Sequence, residues 1–64
     1  MKVKNLKQGD LLTLICTTEP KESIVWVRGH YDKGTKRYSI YKWSDTNKER
    51  FVTGDTEVFT DFTF

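Results

Sequence analysis

The stretch from Ile24 to Trp43 constrains the fold of this chain more than any other, because it has the pattern of a β-hairpin. Two runs rich in β-branched and aromatic residues flank the polar segment 32–35, Asp-Lys-Gly-Thr. Gly34 can adopt the positive φ that tight hairpin connections require. The sequence therefore predicts two antiparallel strands joined close to Gly34.

Two registers of this hairpin satisfy the pattern. A two-residue turn at positions 33–34 places Val27 opposite Ile40, whereas a three-residue loop at 32–34 with a bulge places Trp26 opposite Ile40. We favour the three-residue loop, because aspartate followed by lysine suits a type I turn and lysine is a poor first residue where both turn positions need positive φ. The choice matters, since a slip of one residue changes which side chains share a face of the sheet.

Composition extends the β prediction to the whole chain. The 64 residues include no alanine, but nine threonines, five valines, three isoleucines and nine aromatic residues, which favour a pleated sheet over a helix. We predict a single all-β domain, residues 1–64, with five to six short strands. These strands form either a small SH3-like barrel, which removes sheet edges, or a strongly bent antiparallel sheet, which leaves an edge open to a second copy.

The first half of the chain contains one further strand pattern. Alternation over residues 11–17 places Leu12, Leu14 and Cys16 on one face, which is the expected interior. Leu6 is expected to close one end of the core. Cys16 is then a small buried hydrophobic residue rather than a nucleophile.

The second half is predicted as a loop at 44–49, a short strand at 50–53 and a final strand at 56–64. The final strand is unusually apolar for a chain terminus, where residues commonly fray and bury little. It is expected either to close the sheet or to pack against another subunit, which makes a homodimer through this strand plausible. Its apolar residues are Val58, Phe59, Phe62 and Phe64.

Several functional classes are disfavoured. The N-terminus lacks the apolar run of a signal peptide and no segment approaches the length of a membrane span, so we expect a cytoplasmic protein that does not enter a membrane. One cysteine and one histidine cannot form a structural zinc site, and the glycines are too dispersed to cradle a phosphate, so no cofactor or metal is predicted. His30 and Asp32 share a side of the strand, but no further catalytic group accompanies them. We therefore predict no enzymatic activity.

Charge is concentrated in the hairpin. Residues 21–43 carry six lysines and arginines against two acidic residues, whereas residues 44–64 have a net charge of −3. Basic and aromatic residues alternate along the hairpin, with His30, Tyr31 and Lys33 among them. The candidate binding residues are Trp26, Arg28, Lys36, Arg37, Tyr38, Tyr41, Lys42 and Trp43.

Two functions follow from this pattern. The first is a non-enzymatic module that binds a protein partner or itself, because exposed Tyr, Trp and Arg are enriched in interfaces and SH3-like barrels bind peptides through aromatic grooves. The alternative is binding of single-stranded nucleic acid, in which rings stack on bases and cations contact phosphates. Against both stands the ordinary role of such rings in the core and in cross-strand pairs.

The chain also resembles known small proteins. The segment 3–14, Val-Lys-Asn-Leu-Lys-Gln-Gly-Asp-Leu-Leu-Thr-Leu, is similar to the opening of many small barrels, in which a Leu-x-x-Gly-Asp turn leads into a core strand. Together with Val-Trp-Val-Arg-Gly-His-Tyr-Asp at 25–32 and Thr-Glu-Val-Phe-Thr-Asp-Phe-Thr-Phe at 56–64, it resembles a family of short uncharacterised bacterial proteins. This resemblance implies an SH3-like fold and no activity, cofactor or binding residue.

Overall fold

The computed structural model describes residues 1–63 and is all-β apart from two short 3₁₀ helices, Val3–Asn5 and Glu22–Ile24. Four strands form one antiparallel sheet in the order β1-β2-β3-β4. The all-β prediction is confirmed. The structure shows four strands rather than five or six, in an open sheet, and does not confirm a barrel. The strands are β1 (Leu11–Leu12), β2 (Trp26–Asp32), β3 (Arg37–Lys42) and β4 (Glu49–Thr53).

One side of the sheet, the inner face, packs against the core. Ile40 of β3 is fully buried there, and the rings of Trp26 and Tyr38 pack around it, half-buried. The N-terminal 3₁₀ helix and the C-terminal segment cover the part of this face around Ile40 and leave Tyr31 and Arg50 exposed. The core consists of Val3, Leu6, Leu12, Ile40 and Val58. The expected position of Leu6 in the core is therefore confirmed.

The hairpin is confirmed, but both predicted registers are wrong. Trp26 lies opposite Lys42 and Arg28 opposite Ile40, while Tyr31 lies opposite Tyr38 with a one-residue shift in between. The shift is a β-bulge at residues 29–30, both of which face the single residue Ser39 of β3. Bulges of this kind add a residue to one strand and change the direction of the side chains that follow.

The hairpin loop also differs from the prediction, since it contains residues 33–36 rather than two or three residues. Asp32 Oδ1 accepts a hydrogen bond from the Gly34 N–H at 2.9 Å, which is the local bond that aspartate commonly makes at the start of a turn. Gly34 does not adopt positive φ; that conformation occurs at Lys36, with φ of 57°. The loop therefore turns at a lysine that the sequence pattern did not single out.

The strand predicted at residues 11–17 ends early, because Thr13 leaves the sheet. Its backbone pairs with Phe59 through two hydrogen bonds of 2.9 Å, and its hydroxyl donates to the Ile15 C=O at 2.7 Å. Thr13 is fully buried, whereas Cys16 is exposed. The predicted burial of Cys16 is wrong, because the alternation on which it rested stops at this bend.

The end of the chain forms two isolated bridges rather than a continuous strand, one between Glu57 and Lys2 and one between Phe59 and Thr13. Val58 lies between these bridges and is fully buried, so it offers no apolar surface to a partner. Dimerisation through this segment stays a prediction for Phe59 and Phe62, which are half-buried, and Phe64 lies outside the described residues. The predicted strand at 50–53 is confirmed as β4, and the predicted loop is confirmed up to residue 48.

Candidate functional site

The register of the sheet gathers basic and aromatic residues along the inner face. Because directly opposed residues of antiparallel strands share a face, Trp26 and Lys42 form one row and Arg28, Ile40 and Arg50 form the next. Ile40 is the middle residue of this second row and is fully buried, and one arginine lies on each side of it. Three cations and one indole ring therefore share this part of the sheet.

Two cations lie near the ring of Trp26. Lys42 Nζ is 5.5 Å from the centroid of its ring system, and Arg50 Cζ is 5.8 Å from it. Both distances are within the range of about 6 Å at which a cation is attracted to an aromatic face. These contacts hold both side chains beside the ring, which reduces the conformational freedom that a ligand would otherwise have to restrict.

A second cluster lies nearer the hairpin loop. Arg28 Cζ is 4.6 Å from the Tyr38 ring centroid, and the Tyr31 and Tyr38 rings lie 4.7 Å apart at 47°. Arg28 Nη1 donates to the Gly29 C=O at 2.7 Å, while its buried Nε has no hydrogen-bond partner among the described residues. Tyr31 is 40% exposed, so this cluster presents an open ring beside a guanidinium.

The bulge at residues 29–30 makes this second cluster possible. In a regular strand, alternation would place residues 28, 30 and 32 on one face and Tyr31 on the other. With one extra residue, Tyr31 joins Arg28 on the inner face, and His30 moves to the outer face, where its ring makes an edge contact of 6.0 Å with Phe51.

The basic residues of the hairpin are not neutralised by acidic side chains. Within residues 1–63, every ion pair joins the N-terminal segment to the segment that follows β4, and none includes Arg28, Lys42 or Arg50. The pairs are the Met1 amino group with Glu57 and the Lys2 and Lys4 amines with Asp55. Unpaired cations gathered on one face attract anions at longer range than a mixed surface does.

Asp55 shows the effect of pairing by contrast. A hydrogen bond from Lys4 and the positive charge of Lys4, followed by the charge of Lys2, hold the pKa of the Asp55 carboxyl below its usual range. Asp55 Oδ1 thus pairs with both N-terminal lysines, at 3.7 Å from Lys2 Nζ and 3.2 Å from Lys4 Nζ. The excess positive charge stays on the hairpin.

The structure places the eight predicted binding residues in different parts of the fold. Trp26, Arg28, Tyr38 and Lys42 lie together on the inner face, whereas Arg37 and Tyr41 lie on the outer face. Lys36 lies in the loop, and Trp43 follows the end of β3, where its N–H donates to the Val25 C=O at 3.0 Å.

Two residues of the inner-face clusters, Tyr31 and Arg50, were missing from the predicted set of binding residues. Tyr31 was part of the basic and aromatic pattern, but only the bulge shows that it faces Tyr38. Arg50 lies outside the hairpin, and its position over Trp26 depends on the pairing of β4 with β3. No signal within residues 24–43 could have included it.

The outer face has a different character. Phe51 is 40% exposed, and the fully buried Ser39 beside it donates a hydrogen bond to Glu49 Oε2 at 2.5 Å. Asp32 accepts the Gly34 N–H rather than contacting His30. Within the described part of the chain, no group of three or more His, Cys, Asp and Glu side chains could hold a metal ion.

Surface depressions lie away from the hairpin. One of about 400 Å³ lies between the segment around Cys16 and the segment 58–61, and one of about 310 Å³ lies beside Leu6 and Asp10. Neither is lined by a residue of β2, β3 or β4. A ligand of the inner face would therefore occupy neither of these two depressions.

Comparison with protein-family models, with curated proteins and with solved structures finds no match to this chain. No helix within residues 1–63 has the length and apolar character needed to cross a membrane.

Proposed function

We propose that this protein is a non-enzymatic binding module that binds single-stranded nucleic acid on its inner face. The observation that carries the proposal is the grouping of three unpaired cations, Arg28, Lys42 and Arg50, around the rings of one sheet face. Single-strand binders combine cations that follow the phosphates with rings that stack on bases.

The two clusters suit different parts of such a ligand. The Lys42 and Arg50 side chains already lie against Trp26, so they are placed to contact phosphates without a large loss of side-chain entropy. The exposed Tyr31 ring is open to a base, and stacking of this kind contributes about 1–3 kcal/mol per base. The exposed part of the inner face, which includes Tyr31 and Arg50, lies outside both surface depressions and therefore suits an extended strand better than a compact small molecule.

A second candidate function is the binding of a protein partner. Exposed aromatic residues away from the inner face favour this function. Phe51 and Trp43 are 40% and 46% exposed, and aromatic residues are enriched in protein interfaces. Two predictions from the sequence also stay proposals: that the fold is an SH3-like barrel and that the protein is cytoplasmic. The charge distribution favours the nucleic-acid ligand. A neutral aromatic patch on the outer face does not explain the unpaired lysine and arginine side chains on the inner face.

Fluorescence anisotropy of a labelled 12-nucleotide single strand tests the proposal. Three phosphate contacts, at about 0.7 units of slope each, predict a slope of log affinity against log salt of about −2. Raising salt from about 50 to 200 mM should then weaken binding roughly twentyfold. An affinity that does not change with salt would contradict the proposal.

Paired substitutions locate the site. Lys42→Ala with Arg50→Ala removes two inner-face cations and should reduce the slope to that of one phosphate contact, about −0.7. Lys33→Ala with Arg37→Ala lowers the net charge equally, but in the loop and on the outer face, and should leave most of the slope intact. Equal losses in the two double variants would show that only net charge matters, and the inner-face site would be rejected.

A further inference from the structure

Strand β4 is an open edge of the sheet. Among the strands that the structure describes, it pairs with β3 alone, and four of its five residues are exposed. The Lys42 N–H donates to the Lys48 C=O at 3.0 Å, and hydrogen-bonded pairs recur at every second residue of an antiparallel ladder. Arg50 therefore directs its backbone groups toward β3, whereas the N–H and C=O groups of Glu49 and Phe51 point out of the sheet.

Thr53 limits this edge at the end of the strand. Its N–H also points outward, but its C=O accepts the Thr56 N–H at 3.1 Å. The backbone groups open to an added strand are therefore those of Glu49 and Phe51 together with the Thr53 N–H. Unpaired backbone groups along an exposed edge can pair with an extended segment of another chain.

The two faces of this edge differ in character. Phe51 lies on the outer face and is 40% exposed. Arg50 lies on the inner face, and Lys48 continues the same alternation opposite Lys42. Within residues 1–63, none of these three cations forms an ion pair, and Glu49, the acidic residue of β4, lies on the outer face. The inner side of the edge is therefore positively charged, while the outer side exposes a ring.

We propose that the β4 edge binds an extended acidic peptide of a partner protein as an added antiparallel strand. The peptide residue opposite Phe51 is apolar and packs beside its ring, and the residues opposite Arg50 and Lys48 are acidic. Because side chains alternate between the faces of a sheet, the peptide has the pattern apolar, acidic, any residue, acidic. The proposal does not depend on nucleic-acid binding, although a carboxylate beside Arg50 would compete with a phosphate there.

Charge distinguishes this occupant from the alternatives. A second copy of β4, paired about Phe51 or about Arg50, would bring the two Arg50 side chains to diagonal or directly opposed positions, where like charges repel. A nucleic-acid strand supplies phosphates but no repeating N–H and C=O groups that could extend the ladder. An acidic peptide supplies both, because its backbone pairs with Glu49 and Phe51 while its carboxylates face the unpaired cations.

Fluorescence anisotropy of a labelled synthetic peptide tests the proposal. The probe is Thr-Val-Tyr-Glu-Thr-Glu-Ser, whose third, fourth and sixth residues lie opposite Phe51, Arg50 and Lys48. Replacement of both glutamates by glutamine should weaken binding about three- to tenfold, as expected for the loss of two exposed ion pairs. A glutamate peptide that does not bind, or that binds no better than the glutamine peptide, would overturn the proposal.

Methylation of single peptide amides tests the strand pairing itself. In the proposed register, the N–H of the probe's tyrosine donates to the Phe51 C=O, whereas the N–H of the glutamate that follows points away from β4. N-methylation of the tyrosine should weaken binding by about tenfold or more, because it removes a hydrogen bond and separates the strands. N-methylation of that glutamate is the matched control and should leave the affinity within about twofold. Equal effects of the two methyl groups would overturn the proposal.

A charge exchange tests the assignment of Arg50. Arg50→Glu should weaken binding of the glutamate peptide and strengthen binding of a probe with lysine at its fourth position. Lys33→Glu makes the same change of charge in the hairpin loop and should alter neither affinity, so equal effects of the two variants would show that only net charge attracts the peptide. Sedimentation without peptide should show a monomer. A dimer that the peptide does not dissociate would assign the edge to a second copy and overturn the proposal.

Discussion

The bulge in β2 depends on a residue without a side chain, which makes Gly29→Ala the most informative substitution in the fold. A Cβ atom at this position would lie 2.9 Å from Ser39 Oγ, 3.2 Å from Ser39 O and 3.3 Å from Ser39 Cβ. Ser39 cannot move away freely, because it is fully buried and its hydroxyl donates to Glu49. The added methyl group must displace this hydrogen bond or separate β2 from β3.

We expect Gly29→Ala to lower the free energy of unfolding by about 1–3 kcal/mol, the usual cost of overpacking a well-packed site. Urea denaturation, monitored through tryptophan fluorescence, measures this loss. Since Ser39→Ala removes the nearest atom, the double variant Gly29→Ala with Ser39→Ala should be more stable than the sum of the single effects predicts. Such a positive coupling is the signature of two residues in direct contact.

Two results would refute this reasoning. A change of less than about 0.5 kcal/mol for Gly29→Ala, the level of an ordinary surface substitution, would show that the strands have room for a side chain at the bulge. Strict additivity with Ser39→Ala would show that the cost arises elsewhere. In either case the explanation for the position of Tyr31 beside Tyr38 would be lost.

Two further predictions concern the loop and the termini. Lys36→Gly should raise the free energy of unfolding by about 0.5–1 kcal/mol, because it relieves positive φ at a cost in chain entropy; Lys33→Gly, without positive φ, should lower it in the same denaturation assay. The lowered pKa of Asp55 stabilises the fold above the unfolded-state pKa of about 3.8, and this contribution is lost as pH falls through the lower folded value. Asp55→Asn should remove that part of the acid dependence of Tm, and an unchanged acid limb would contradict it.

The hairpin could be predicted from sequence because its signal is local. Alternating β-branched and aromatic residues on both sides of a polar turn specify two paired strands wherever they occur. Its register could not be predicted, because the bulge forms where Gly29 meets Ser39, and Lys36 adopts a conformation that lysine rarely favours. Both features depend on contacts or strain that a pattern of residue types does not record.

The first strand shows the opposite case, in which a clear local pattern was misleading. The alternation from residue 11 to 17 continues in the sequence, but Thr13 pairs with Phe59 and the chain bends away from β2. A partner 46 residues distant decided where the strand ended. The same limit applies to Arg50, whose place beside Trp26 required the pairing of β3 with β4.

NMR chemical-shift mapping tests the central claim, nucleic-acid binding on the inner face, most directly. A short unlabelled single strand is titrated into ¹⁵N-labelled protein at low salt, and the amide and indole signals are followed. The largest shifts should occur at the Trp26 indole and at the amides of Arg28, Lys42 and Arg50, and they should disappear as salt is raised. Shifts centred on Phe51 and Trp43 would place the ligand elsewhere, and a spectrum that does not change would contradict the account.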